Sequence, residues 1–322
     1  MHDLKRILIP TDFSNNATVV YDYARKLATS KNAVVDMVHI VPQRSYLDIS
    51  QEIMGNAFEM QGKFREYMVN LRARLQKELD DNFEKPHAGK VFVKEGLHIA
   101  QEISDHAEGE GYGLILIGSR GKGNSIFGRG SVTERLIRTT HIPVFSFHKP
   151  FHKRMKTIVL PTDGSALSLQ ILPLALDMAF AYKATIHLYN VIEIDFNQIG
   201  FAGGSSTNFD FVRKNRKNEL IEYLKERFDG SETYIYKGGA GKNVVVIENK
   251  EKQNVKLKMV IEDRLSAHRA IVDYANENAQ LVMMTTHGRS GFSRILIGSV
   301  AEKVARHLDI PACTLKPKKP EA

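Results

Sequence analysis

Apolar positions along this chain fall into two alternating patterns. Short continuous runs at residues 7–9 (Ile-Leu-Ile) and 158–160 (Ile-Val-Leu) suit strands buried on both faces of a parallel sheet. After the first run, Val19, Val20, Tyr23, Ala24, Leu27 and Ala28 fall at helical spacing, which predicts an amphipathic helix. Ser14 and Ser165 are the expected N-caps of this helix and its counterpart. In the later stretch Pro173 interrupts the stripe, so a kink or a late helix start is expected there. Second strands are expected at 33–41 and 184–192, and long helices at 58–83 and 209–228. Phe64, Met68, Leu71 and Leu75 share one face of the first long helix. Third strands fall near 91–93 and 256–260, and helices follow at 99–107 and 267–275. Fourth strands at 114–117 and 281–284 precede last helices at 132–139 and 300–307, with fifth strands at 144–147 and 312–315.

The same order occurs twice because the sequence itself repeats. Residues 7–14 read ILIPTDFS and residues 158–165 read IVLPTDGS, an offset of 158 − 7 = 151. That offset also carries His39-Ile40-Val41 onto Asn190-Val191-Ile192. Gly118-Ser-Arg-Gly121 with Gly130-Ser131-Val132 returns as Thr285-Thr-His-Gly288 with Gly298-Ser299-Val300. Strands alternating with helices in duplicate predict an α/β fold of two tandem, doubly wound, five-stranded parallel-sheet domains, 1–150 and 151–322. The second carries extra residues near 230–254. Val244 to Ile247 followed by a polar turn at 249–254 reads as an inserted hairpin, expected to be separable from the fold and to tune access or partner choice.

Composition narrows the class. A hydrophobic share of 43% and a charged share of 25% describe an ordinary globular protein, and no apolar run is long enough to span a bilayer. The chain start leads directly into the first strand, so no signal peptide is expected. The single cysteine, Cys313, fits a reducing compartment, and cytoplasm is the expected location. A net charge of +8 suits an anionic ligand. No basic stretch is interleaved with aromatic residues, which argues against nucleic acid as a partner.

Ligands of doubly wound sheets bind beyond the carboxyl ends of the strands, where strand order reverses. Asp12 and Asp163 follow the first strand of each copy; Gly118 and Thr285 follow the fourth. If those strands are neighbours, aspartate and glycine turn line one crevice. Backbone N–H groups of the turn suit phosphate, and the Gly130-Ser131 and Gly298-Ser299 pairs open the last helices, where an anion is favoured. The serine hydroxyl can donate to phosphate and the aspartate can accept from ribose hydroxyls. Set against this, a glycine turn is often only a turn. Lys122, Arg129, Arg289 and Arg294 are phosphate partners or ordinary surface charge. Arg120 occupies the place of His287, which argues against catalysis there, and His39, matched by Asn190, reads as structural. Two look-alikes fail. The 238–243 segment lacks a P-loop's first glycine (Tyr236) and its Ser/Thr (Asn243), and Gly121-Lys-Gly123 lacks a third fingerprint glycine at Ile126.

At these residues the chain resembles the universal stress protein family in its tandem form. Nucleotide-binding members carry a glycine, two residues, a second glycine, nine residues, then glycine and Ser/Thr. The first copy supplies Gly118, Gly121, Gly130 and Ser131 but has eight residues, 122–129, in the long gap. The second keeps nine residues between Gly288 and Gly298-Ser299 but has Thr285 for the first glycine. The resemblance implies an adenine-nucleotide alpha-hydrolase-like fold, two domains packed about a pseudo-two-fold axis through their fifth strands, and ATP, with or without magnesium, as ligand. It implies that Asp12 and Asp163 hold adenosine through their side chains, and Ile40 and Val191 through their backbones. A sensor or regulator with a protein partner follows, open to homodimer formation, with at most slow, incidental ATP hydrolysis. The first crevice is favoured, because Thr285 places a branched side chain where bare backbone is wanted. The alternative is an interaction module whose glycine turns bind no nucleotide. An adenylate-transfer enzyme is not supported, since neither a His-x-Gly-His motif nor a Ser-Gly-Gly-x-Asp-Ser loop occurs.

Overall fold

A computed structural model describes residues 4–43, 57–119, 131–151, 154–194, 206–239, 243–287 and 298–318. The chain divides into two compact units, residues 2–152 and 153–322. In the first, β1 (Arg6–Pro10) leads through a 3-10 turn (Thr18–Val20) to α1 (Tyr21–Lys31) and β2 (Val34–Pro42). Then come α2 (Ala57–Asn82), β3 (Ala88–Gly96), α3 (Ile99–Gly109), β4 (Leu114–Gly118), α4 (Ser131–Thr139) and β5 (Val144–Phe147). The strands pair in the order β3-β2-β1-β4-β5 and all run parallel. Strand order reverses between β1 and β4, which pair with Ile7 opposite Leu114 and Leu8 opposite Ile115. Ile7, Leu8 and Ile9 are fully buried, as the unbroken apolar run requires. On α2 burial begins with Leu71, Leu75 and Leu79; residues 61–70 are exposed or half-buried.

The second unit comprises β6 (Thr157–Pro161), α5 (Leu172–Tyr182), β7 (Thr185–Glu193), α6 (Ser206–Phe228), β8 (Tyr234–Gly239) and β9 (Val244–Asn249). It continues with β10 (Asn254–Arg264), α7 (Ala267–Asn278), β11 (Leu281–Thr285), α8 (Ser299–His307) and β12 (Ala312–Leu315). Its order is β12-β11-β6-β7-β10-β9-β8. The parallel core β12-β11-β6-β7-β10 repeats the first unit, with β6 beside β11 at the reversal. The β8–β9 hairpin is added antiparallel beyond β10.

That hairpin packs into the unit, which argues against its being separable from the fold. Tyr234, Val245 and Ile247 are buried. The Tyr234 hydroxyl donates to Asp177 Oδ1 at 2.7 Å and lies 3.2 Å from the Pro173 carbonyl, while its ring stacks on Phe180 and meets Phe228 edge-on. Burial and the Asp177 carboxylate push the phenol pKa upward. The hairpin thus holds α5 in place. In the first unit the end of α2 does the same for α1: Tyr21 donates to Glu78, its ring packs on Phe83, and Arg25 donates to the Asn82 carbonyl.

Helix starts also differ from the sequence expectation. Neither α1 nor α5 has a side-chain cap. Ser14 and Ser165 instead accept the N–H groups of Ala17 and Ser168, three residues on, closing a turn before each helix. Pro173 lies in the first turn of α5, where its missing N–H leaves no bond unmade, so the helix starts late and no kink is needed. Both helices end on a left-handed residue, Asn32 at φ 48° and Lys183 at φ 54°. In each the next N–H, of Ala33 or Ala184, reaches back to the carbonyl of Ala28 or Ala179.

Candidate functional site

In both units the loop leaving the first strand is folded on its own aspartate. Asp12 Oδ1 accepts the Ser14 N–H at 3.0 Å, and Asp163 Oδ1 accepts both the N–H and the hydroxyl of Ser165 at 2.9 and 2.6 Å. The preceding threonines accept the next N–H: Phe13 to Thr11 Oγ1 at 3.0 Å, and Gly164 to Thr162 Oγ1 at 2.9 Å. The residue between is left-handed in each, Phe13 at φ 59° and Gly164 at φ 79°. Glycine takes that conformation without strain; phenylalanine does not. The loop is tied to the second strand by His39 Nδ1, 2.8 Å from the Thr11 carbonyl, and by Asn190 Nδ2, which donates to the Thr162 carbonyl at 2.7 Å. His39 is therefore structural and holds the aspartate loop.

The sheet order brings this loop to the fourth strand. A Cβ on Gly118, at the end of β4, would lie 2.0 Å from the Asn16 carbonyl oxygen. The bare Cα at 118 is thus required by the chain's own backbone, whatever occupies the crevice. In the second unit Thr285 is buried at the matching strand end, and its hydroxyl donates to the His287 carbonyl at 2.8 Å. The Thr285 side chain is accommodated within the chain at that strand end. Gly298 precedes α8, but its N–H donates to the Thr286 carbonyl at 2.8 Å and is taken up by the chain. Ile40 is buried on β2 and Val191 half-buried on β7. Ser131 and Ser299 are the first residues of α4 and α8. Gly121, Gly130 and Gly288 lie outside the described residues, as do Arg120, Lys122, Arg129, Arg289 and Arg294.

The first crevice has neighbours that sequence reasoning missed. The Phe13 ring packs against His39 at 4.6 Å between centroids, and the Arg74 guanidinium of α2 lies over it, 4.2 Å from the centroid. Burial, the bond to Glu78 and the nearby Asp12 charge all push the Tyr21 pKa upward, so this phenol stays protonated beside the loop. Nothing local marks Arg74 on a polar helix face. The signal for Phe13 was present in the repeat, which sets it opposite Gly164. Among the described residues no group of His, Cys, Asp and Glu could hold a metal ion, and no helix is long and apolar enough to cross a membrane.

Two doubly wound units, each with an aspartate loop at its point of strand reversal, define a tandem α/β protein of the adenine-nucleotide alpha-hydrolase-like fold class. The universal stress protein family profile matches residues 3–148 and again 155–316. The chain belongs to that family. Universal stress protein MJ0577 of Methanocaldococcus jannaschii is 32% identical over 153 residues, covering 44% of this chain and 92% of that protein. Universal stress protein MJ0531 of the same organism is 27% identical over 167 residues, covering 52% and 85%. A universal stress protein structure from Archaeoglobus fulgidus covers 97% of this chain and 98% of its own, at 18% identity and a TM-score of 0.63, a likeness of fold.

Proposed function

We propose that this universal stress protein binds an adenine nucleotide, ATP in the first instance, and acts as a nucleotide-dependent sensor or regulator. The observation that carries this reading is the repeated aspartate turn beside the strand reversal. In both units Asp12 or Asp163 is held by its own loop, the loop by His39 or Asn190, and the crevice opens where such sheets take ligands. A carboxylate held in this way is ready to accept ribose hydroxyls. Gly121, Gly130 and Ser131, and Gly288, Gly298 and Ser299, are the residues assigned to the phosphates; of these, Ser131 and Ser299 open helices, whose N-termini suit anions. Magnesium would arrive on the triphosphate, since it is commonly held by substrate phosphates with one or two carboxylates. Regulation, a protein partner, a homodimer and a cytoplasmic location belong to the same proposal.

A second reading is an interaction module that binds no nucleotide. It is favoured by two specific observations: Gly118 is explained by the Asn16 carbonyl, and the Gly298 N–H is already bonded. Mass spectrometry of ligand released from the purified protein, followed by calorimetric titration with ATP, separates the two. Asp12→Asn and Asp163→Asn keep the acceptor that closes each turn while removing the charge. On the nucleotide reading each weakens ATP binding at its own crevice about tenfold or more, the cost of a lost charge-assisted hydrogen bond. Absence of co-purified nucleotide together with no heat of ATP binding would leave the interaction module.

A further inference from the structure

We infer that the Ser165 hydroxyl, by occupying Asp163 Oδ1, makes the second crevice discriminate less than the first between a nucleotide with both ribose hydroxyls and its dideoxy analogue. The inference rests on the nucleotide reading above and adds to it a residue and a difference between the two crevices.

The two carboxylates are engaged differently by their own loops. Asp163 Oδ1 accepts two donors from one residue, the Ser165 N–H at 2.9 Å and the Ser165 hydroxyl at 2.6 Å. Asp12 Oδ1 accepts the Ser14 N–H at 3.0 Å, but among the described residues the Ser14 hydroxyl does not bond it. The direction of the Ser165 proton is set by its neighbours. Ser165 Oγ accepts the Ser168 N–H at 3.2 Å, so its own single proton is left for Asp163. A separation of 2.6 Å is that of a charge-assisted bond between a hydroxyl and a carboxylate. Ser168 fixes the loop in this arrangement. It is buried, its hydroxyl donates to the Ser165 carbonyl at 2.8 Å, and it lies 2.7 Å from Thr162 Oγ1. The repeat offset puts Ala17 at that place in the first copy, with no hydroxyl to contribute. The second loop is therefore closed by a chain of hydroxyls that ends on its aspartate, and the first is not.

Each oxygen of an ionised carboxylate has about two acceptor positions, and two neighbouring ribose hydroxyls can donate one to each oxygen. Ser165 takes both positions of Asp163 Oδ1. A ribose hydroxyl aimed there must displace the serine proton, and the bond it breaks is of the same charge-assisted kind as the bond it makes. The exchange offsets most of the gain. Removing the ribose hydroxyls from the ligand is therefore penalised less at the second crevice than at the first. Base and phosphates are common to both ligands and drop out of the comparison.

The test uses the full chain and two probes, ATP and 2′,3′-dideoxy-ATP, titrated calorimetrically into wild type, Ser165→Ala, Ser165→Thr, Ser14→Ala and the double variant Ser165→Ala with Asp163→Asn. Ser165→Ala and Ser14→Ala each remove an oxygen that closes a turn, but only the first releases a carboxylate oxygen. The expected result in Ser165→Ala is a rise of about three- to tenfold in the ratio of ATP to dideoxy-ATP affinity at one site. Ser165→Thr, which keeps the hydroxyl, and Ser14→Ala should hold the wild-type ratio, and the double variant should lose the rise. An equal rise in both serine-to-alanine variants would assign the effect to a loosened turn and overturn the inference. An unchanged ratio in Ser165→Ala, or a rise that survives in the double variant, would also overturn it. In either case a wild type that binds ATP keeps the nucleotide reading alone. A wild type that binds neither probe would overturn both.

Discussion

The two copies fill the same position on their second strands with opposite chemistry. On β2 of the first, Asp36 is 2% exposed; the repeat offset carries it onto His187 of β7. Asp36 accepts from Arg6 at 2.9 Å, the Tyr112 hydroxyl at 2.6 Å and the Lys90 N–H at 2.6 Å, while Arg6 also covers the Tyr112 ring. A carboxylate there is held by one cation and two donors, as a buried charge must be. In the second copy, His187 Nδ1 lies 2.8 Å from the Tyr274 hydroxyl, and Tyr274 stacks on Tyr189 at 4.3 Å. Tyr189 in turn donates to Glu262 at 3.0 Å. One unit uses an ionic knot and the other an aromatic stack, under equivalent helices. Duplication preserved the strand order and the aspartate loops while the interior was rebuilt, so the repeat is stricter near the crevices than in the packing beneath them.

The contrast is sharpest if Asp36 is removed. Asp36→Ala leaves the Arg6 guanidinium, the Tyr112 hydroxyl and the Lys90 N–H without their shared acceptor; Arg6 is partly exposed, so the loss is set mainly by the buried Tyr112 hydroxyl and is about 2–3 kcal/mol. His187→Ala loses one neutral hydrogen bond and half-buried packing, about 1 kcal/mol. Urea unfolding followed in each variant should show the first unit's transition shifted far more than the second's. Equal shifts would mean that the ionic knot is not what holds the first unit.

A smaller effect comes from the helix ends. Asn32 and Lys183 are both left-handed, but asparagine tolerates that conformation and lysine does not. Lys183→Gly should raise stability by about 1 kcal/mol, whereas Asn32→Gly should change it by a few tenths at most. Thermal melts of the two variants provide the check, and an equal gain at both sites would remove residue type as the cause.

The smallest is a pH dependence that both copies share. Burial, with Lys94 for His106 and Lys258 for His187, lowers the pKa of each imidazole below the ordinary histidine value. The unfolded chain then takes up protons at higher pH than the folded one, so stability is full above about pH 6.5 and falls as pH drops toward the folded values. His106→Gln with His187→Gln should flatten the fall between about pH 7 and 5.5. An unchanged slope in chemical denaturation would place the protons elsewhere.

The fold could be read from the sequence because its signals are local. Unbroken apolar runs gave the central strands, and the fifth strands, Val144–Phe147 and Ala312–Leu315, occur at the residues expected. The aspartate loops were found because the repeat doubled a short segment. Other features depend on contacts that no window of sequence contains. Gly118 was read as room for a phosphate, but the nearest atom is the carbonyl oxygen of Asn16, one hundred and two residues earlier. Ser14 and Ser165 had the chemistry of helix caps, yet each closes a turn one step upstream. Arg74 is one of several cations on a polar face until tertiary structure sets it over Phe13.

The β8–β9 hairpin shows how an insertion can become irreversible. Tyr234 lies between Phe180 and Phe228 and donates to Asp177, residues that belong to the helices of the second unit rather than to the hairpin. Cutting it out would uncover two aromatic rings and leave the Asp177 carboxylate without that donor. A lineage that lost the hairpin would therefore need compensating changes on α5 and α6 before the shorter domain could fold. Such a segment works as a ratchet: once neighbouring residues are fitted to it, as Phe180, Phe228 and Asp177 are to Tyr234, simple deletion leaves unmatched surfaces rather than a minimal domain.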